Sequence, residues 1–454
     1  MEMVLEFLRD VLSQPALLIG IMSCVGLVAL KRPFHKVMTG TLKPILGYLM
    51  LAAGAGVIVS NLDPLGKMIE HGFHITGVVP NNEAIVAVAQ KVLGVETMSI
   101  LVVGLLMNLC IARFTKFKYV FLTGHHSLFM ACLMSAVLGT AGLSGMELIL
   151  VGGFLMGAWS AISPAIGQSY TSKVTDGDEI AIGHFGSLGY YLSAWVAQYV
   201  GKAEDSTEDI EIPEKWGFLR DSTLSTALTM IVFYLIAAIA AGSEFVSTLS
   251  GDMSPYLYAV MSAMNFAVGV TIVYSGVRMI LGDLIPAFQG IATKIIPNAI
   301  PAVDCAVFFT YAPTAVVLGF LSSFIGGIIG MLILGAVGGV LIIPGLVPHF
   351  FCGATAGIYG NATGGRRGAA VGAFLNGLAI TFLPAMALPV LGQLGFQNTT
   401  FGDADFAVMG LVLGNAYEWV GMAGIYGIVA IAALVLIIPN FIKTKGKVIN
   451  YVEE

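Results

Sequence analysis

Charge is what this chain has least of. Asp, Glu, Lys and Arg make up 11% of its 454 residues, against about 25% in an ordinary soluble domain. Apolar residues make up 57%, and the mean hydropathy is +0.89. A chain this long and this apolar cannot hide its apolar surface in a water-soluble fold, so lipid must be part of its solvent. The five cysteines, Cys24, Cys110, Cys132, Cys305 and Cys352, sit in apolar stretches without metal-ligand spacing and read as reduced packing residues. The net charge of -6 comes with no basic stripe, which argues against a nucleic-acid partner. There is no Walker A sequence, no nucleophile–base pair and no cofactor or metal motif. The acidic start, Met1 to Asp10, runs into the first apolar stretch without the basic flank of a cleavable signal.

What is there in abundance is apolar runs. A spanning helix needs about 20 mostly apolar residues. Eleven runs qualify: 15–30, 44–60, 95–112, 123–140, 146–163, 222–242, 255–281, 314–335, 340–359, 368–391 and 408–442. None alternates as the strands of an outer-membrane barrel do. The chain therefore reads as an all-α polytopic membrane protein. Basic residues cluster after alternate spans: Lys31, Arg32 and Lys36, then Arg113 and Lys116, then Lys173, Arg366 and Arg367, and finally Lys443 to Lys447. The opposite loops hold acids, among them Asp63, Glu244, Asp252, Asp403 and Asp405. By the positive-inside rule the N-terminus lies outside and the C-terminus in the cytoplasm.

Three stretches fit no simple span: 61–91, 180–200 and 281–301. They read as re-entrant hairpins or interfacial helices, which survive at membrane depth only inside protein or beside a water-filled cavity. The acidic loop 201–221 divides the chain near its middle. Across it, an offset of 222 residues aligns Gly47 with Gly269, Gly54 with Gly276, Pro64 with Pro286, Gly104 with Gly326 and Asn82 with Asp304, and one further residue of slip aligns His126 with His349. Five spans per copy is an odd number, so the second copy must be inverted, as in many transporters. The expected organisation is a first repeat over 1–221, an inverted second repeat over 222–407, and an extra helix and tail over 408–454. The glycines from Gly326 to Gly339 read as close helix packing, and Gly364-Gly365-Arg366-Arg367 as a cytoplasmic turn.

Asp304 is the sharpest single signal. No other Asp, Glu, Lys or Arg occurs between positions 295 and 365, and an isolated carboxylate at membrane depth is a functional hypothesis by default. The competing reading is that it caps a half-helix at the tip before Tyr311-Ala-Pro313-Thr314. His184, in the glycine-broken stretch Ile182-Gly183-His184-Phe185-Gly186, can donate and accept towards a polyhydroxylated ligand; the bland alternative is a histidine bonded to backbone. His125 and His126 follow Thr123-Gly124, and one of the two should face the interior. Asn82 and Glu83 match Asp304 through the repeat. The substrate-binding candidates are Asp304, His184, His125, Asn82, Glu83 and Phe185, with His126, His349 and Thr314 as weaker ones.

These residues carry a family resemblance that covers nearly the whole chain. Thr175-Asp176-Gly177, Ile182-Gly183-His184, Gly201-Lys202, Glu208-Asp209, Leu122-Thr123-Gly124-His125, Asp304-Cys305-Ala306 and Ile342-Ile343-Pro344-Gly345 resemble the ascorbate-type membrane component of the bacterial phosphoenolpyruvate-dependent phosphotransferase system. The resemblance implies an eleven-helix homodimer with two inverted V-shaped motifs in the cytoplasmic membrane. It implies a sugar phosphorylated on arrival by a cysteine-phosphorylated B subunit, itself charged by an A subunit, while this chain carries no phosphoryl group. His125, His184 and Asp304 match the family's binding pattern. Its Thr-Tyr pair falls on Asn82-Glu83, its Gln-Ala-Gly-Ser-Gly on Ala52 to Gly56, and its glutamines after the histidine on Phe185, Gly186 and Ser187. The expected substrate is ascorbate or a related acidic or polyhydroxy compound. A proton-coupled secondary transporter, with Asp304 or Glu83 as relay, is the alternative.

Overall fold

The computed structural model describes residues 11, 14–74, 77–80, 82–177, 179–210, 222–392 and 399–441. In chain order the helices are α1 (Pro15–Ala29), α2 (Phe34–Phe73), α3 (Asn82–Phe114), α4 (Gly124–Thr140), α5 (Gly145–Thr175), α6 (Ser187–Val200), α7 (Ser222–Ala241), α8 (Ser243–Ser250), α9 (Pro255–Lys294), α10 (Pro313–Ala336), α11 (Leu346–Gly392), α12 (Ala404–Val420) and α13 (Met422–Phe441). Among the described residues, seven helices are long and apolar enough to cross a bilayer, and α7 with α8, bent by 116°, makes an eighth. The eleven expected spans differ from these eight for local reasons. The runs at 15–30 and 123–140 form α1 and α4, of 15 and 17 residues, which fall short of the usual spanning length. The runs at 340–359 and 368–391 fall on the two halves of α11, which is broken between them at Gly364 and Gly365. The run at 408–442 is two helices, α12 and α13, parted at Gly421 with φ of 62°.

Two of the three stretches without a simple span are largely continuous helix. Residues 61–73 extend α2 through Pro64, and 281–294 extend α9 through Pro286, so each becomes a 40-residue helix. At 1.5 Å per residue that is about 60 Å, twice the hydrocarbon thickness. Neighbouring helices can cover the bond that each proline leaves open. Along their length α2 and α9 touch backbone to backbone. A methyl group on Gly47 would lie 2.8 Å from the Gly276 carbonyl, and one on Gly54 2.7 Å from that of Gly269. The 222-residue offset exchanges the partners of these two contacts.

Short extended segments punctuate the helices: β1 (Val79–Pro80), β2 (Tyr119–Phe121), β3 (Ala181–Ile182), β4 (Ile300–Val303) and β5 (Thr399–Thr400). The order β2-β4-β3 makes a parallel sheet, with Val120 opposite Pro301 and Ile182 opposite Val303. β1 pairs in parallel with β5 on one side, and Val78 bridges Ile342 on the other. The two groups have the same plan: Pro80 and Pro301 both stand in central strands. Such backbone is possible at membrane depth because protein surrounds it. All of β2 and β4 is buried, and Asn108 closes the open edge, donating to the Tyr119 carbonyl at 3.1 Å and accepting from the Phe121 N–H at 3.0 Å.

The acidic loop is partly built into the fold. Over 201–210 it lies against the break in α11 at Gly364 and Gly365, where Gly365 takes φ of 59°. Arg366 donates its N–H to the Asp205 carbonyl at 2.8 Å, and Asn361 accepts from the Thr207 N–H at 2.8 Å. The Glu208 carboxylate accepts from the N–H groups of Thr314 and Ala315 at 3.0 and 3.1 Å. A carboxylate from elsewhere in the chain thus caps the N-terminus of α10, where the helix dipole favours negative charge.

Candidate functional site

Each strand delivers a polar residue just past its C-terminal end. β1 leads to Asn82, β2 to His125 and His126, β3 to His184, β4 to Asp304, and β5 to Asp403. All six line one cavity of about 730 Å3. The size suits a small polar solute, since ligand cavities run from about 300 to 1,000 Å3.

On one wall, Asp304 uses its two oxygens differently. Oδ1 accepts from the Ala306 N–H at 3.0 Å and so caps the short 3-10 helix Cys305–Thr310. Oδ2 lies 3.4 Å from His125 Nε2. His125 Nδ1 in turn lies 3.2 Å from the Tyr48 hydroxyl. A consistent donor sequence runs from Tyr48 O–H to His125 Nδ1, then from His125 Nε2–H to the Asp304 carboxylate.

On the other wall, the rings of His126 and His184 lie 3.8 Å apart between centroids. The Phe185 N–H points at His126 Nδ1 at 3.3 Å. The Gly186 N–H points at His184 Nδ1 at 3.1 Å, and the Tyr190 hydroxyl reaches the same nitrogen at 2.8 Å. A backbone N–H can only donate. Both Nδ1 atoms are therefore acceptors and both rings carry their proton on Nε2, an assignment read from the donors around them. His126, His184 and Asp403 offer ligand atoms within 4.8 Å of one another, which is compact enough to suggest a metal site. The hydrogen bonds argue against it: each imidazole's lone pair is already committed to a backbone N–H, and the other nitrogen presents a proton. The trio offers two donors and a carboxylate acceptor.

Asp403 accepts from the Asn82 side chain at 2.5 Å and from the Cys352 thiol at 2.8 Å. Asn82 also accepts from the Gly402 N–H at 2.9 Å, so it ties the start of α3 to the segment before α12. Sequence reading placed Asp403 and Asp405 in a polar loop; they are 4% and 0% exposed. Asp403 is the residue before α12 and Asp405 lies in its first turn. Asp405 is a cap: Ser187 Oγ, the Leu188 N–H and Trp159 Nε1 donate to it at 2.8, 2.9 and 3.2 Å at the start of α6.

The structure thus gathers Asp304, His184, His125, His126 and Asn82 around the cavity. Thr314 stands apart, its hydroxyl donating to Glu208 at 2.9 Å at the N-terminus of α10. His349 faces away, paired with Ser323 at 2.9 Å inside the α10–α11 packing. Phe185 is fully buried and stacks on Phe121 at 4.6 Å, so it contributes its backbone N–H and not its ring. The side chain of Glu83 lies outside the described residues. Asp403 and Tyr48 are the site residues that sequence reading passed over. The signal for Asp403 was its place after β5, the counterpart of His184 after β3, which a two-residue strand does not advertise.

A bundle of apolar helices around a small, polar-ended cavity is the architecture of a membrane permease. The sequence matches the EIIC-GAT family, described as the sugar-specific permease component of the phosphotransferase system, over residues 10–405. The chain belongs to that family. It is also 26% identical, over 91% of its own length and 70% of the relative's, to the ascorbate-specific phosphotransferase EIIC component of Mycoplasma pneumoniae.

Proposed function

We propose that this chain takes up ascorbate or a related acidic or polyhydroxy sugar, holding it in the cavity between Asp304 and Asp403 for phosphorylation by a separate cytoplasmic B subunit. The chain itself would carry no phosphoryl group. The observation that carries the reading is the convergence of five strand ends on one cavity in a member of a sugar-permease family. Its donors and acceptors suit hydroxyl groups, each of which both gives and takes a hydrogen bond. The relative's substrate name supports ascorbate. The α2–α9 glycine contacts and the paired strand groups support two inverted repeats, and the basic loops support an N-terminus outside and a C-terminus in the cytoplasm. A homodimer, with the A and B subunits as cytoplasmic partners, follows from the same family reading.

The test is uptake in cells with and without the general phosphotransferase proteins. With them, radiolabelled L-ascorbate should appear inside as its phosphate. Uphill accumulation of unmodified solute on a proton gradient, in cells lacking those proteins, would replace this reading with the proton-coupled transporter.

A further inference from the structure

We propose that Asp403 is a second sugar-binding carboxylate, working across the cavity from Asp304 and beside the imidazoles of His126 and His184. The assignment rests on the permease reading above and adds a residue and a ligand pattern to it. Asp403 is buried at 4% exposure. A carboxylate costs free energy there unless something compensates its charge. Its protein partners do not: Asn82 and Cys352 are neutral donors, and the His184 nitrogen that faces it at 4.0 Å is Nδ1, which already accepts from the Gly186 N–H. Among the described residues lining the cavity the cation is Lys67, and Asp63 holds it at 2.8 Å.

Nor is Asp403 saturated in the manner of a structural cap. Asp405, two residues on, receives three donors and sits at a helix start. Asp403 receives two, one on each oxygen, of the roughly four that a carboxylate can take. Asp403 lines the cavity together with His126 and His184, whose Nε2–H groups have the capacity to donate. Carboxylate acceptor beside imidazole donors is the complement of adjacent hydroxyls on a polyhydroxy ligand, one donating to Asp403 and its neighbour accepting from a histidine. On the opposite wall Asp304, with His125 against its Oδ2, offers the other carboxylate acceptor. The site would thereby hold a hydroxyl-rich ligand by both ends.

The experiment is equilibrium binding to the full chain purified in detergent, with radiolabelled L-ascorbate and D-mannitol as probes. Asp403→Asn should weaken the bound probe about ten- to a hundredfold, as expected for losing a charged acceptor, with the melting temperature of the free protein held. Cys352→Ala removes the thiol behind the carboxylate, outside the cavity lining, and should change affinity by less than about threefold. Asp403→Glu keeps the charge but advances its oxygens by one methylene, and should also lose affinity; it serves if the Asn variant does not fold. Affinity within twofold of the parent for either Asp403 variant, or a Cys352→Ala loss equal to that of Asp403→Asn, would overturn the assignment in favour of a structural strut. Failure of the parent chain to bind either probe would overturn the substrate reading itself, and this assignment with it.

Discussion

The two oxygens of Asp304 face different partners, which separates its duties experimentally. Oδ1 caps the Cys305–Thr310 turn and Oδ2 faces His125 and the cavity. Asp304→Asn keeps an acceptor for the Ala306 N–H but loses the charge. Substrate affinity should fall by about 1.5–3 kcal/mol, ten- to a hundredfold, while thermal stability changes little. Asp304→Ala should lose both functions and destabilise the fold by about 1 kcal/mol more. An Asn variant that binds like the parent in a titration would reduce Asp304 to a cap. Tyr48→Phe offers a gentler perturbation of the same wall. It removes the hydroxyl 3.2 Å from His125, and affinity should drop by about 0.5–1.5 kcal/mol. These residues divide by how readable they were. Asp304 stood out because its surroundings are apolar for dozens of residues. Asp403 did not, because a second acid and a polar turn beside it look like an ordinary exposed loop. Phe185 read as a side chain in the site, but folding uses its backbone there instead.

At the scale of elements, contacts between backbones carry the predictions. α2 and α9 approach at Gly47, Gly54, Gly269 and Gly276, where a methyl would meet a carbonyl oxygen at 2.6 to 2.9 Å. Gly276→Ala should force the helices apart and cost about 1–3 kcal/mol, read as a lower melting temperature in detergent. Equal melting temperatures would show that the pair can separate freely. The α10 cap makes the opposite kind of prediction. Glu208→Ala should remove the acceptor of the Thr314 and Ala315 N–H groups and destabilise by about 1–2 kcal/mol. Substrate affinity should stay within twofold, since Glu208 lies outside the cavity lining. Glu208→Gln should recover part of the loss; equal melting of the Ala and Gln variants would remove the cap from the account. None of the five strands was anticipated. Segments of two to four residues have no period by which to distinguish them from helix.

For the whole molecule, topology is the open measurement. Reporter tags fused at residue 1 and residue 454 should read outside and cytoplasm respectively. Both ends on one side would contradict the proposed arrangement of two inverted repeats, each with an odd number of crossings, followed by one further helix. The proposed arrangement would also account for the position of the cavity. Two similar strand groups, one carrying His125, His126, His184 and Asp304 and the other Asn82 and Asp403, point their ends at the same space. Helices on either side could then rock about a site that stays fixed.

Composition and hydropathy sufficed for the membrane class and for most helices, because lipid penalises every unpaired backbone group and leaves a long apolar run few alternatives to helix. Basic-loop asymmetry gave an orientation to test, and the isolation of Asp304 pointed at a site. Tertiary structure decided the rest. Whether α2 and α9 stop at the membrane edge or run on for 40 residues depends on the helices that surround Pro64 and Pro286. Whether a histidine faces the cavity or packing depends on what delivers it, as His126 and His349 show from positions that a 223-residue offset aligns. Asp403 enters the cavity through a strand pairing between residues 320 apart, Val79 with Thr399, and a contact that distant leaves no local pattern in the sequence.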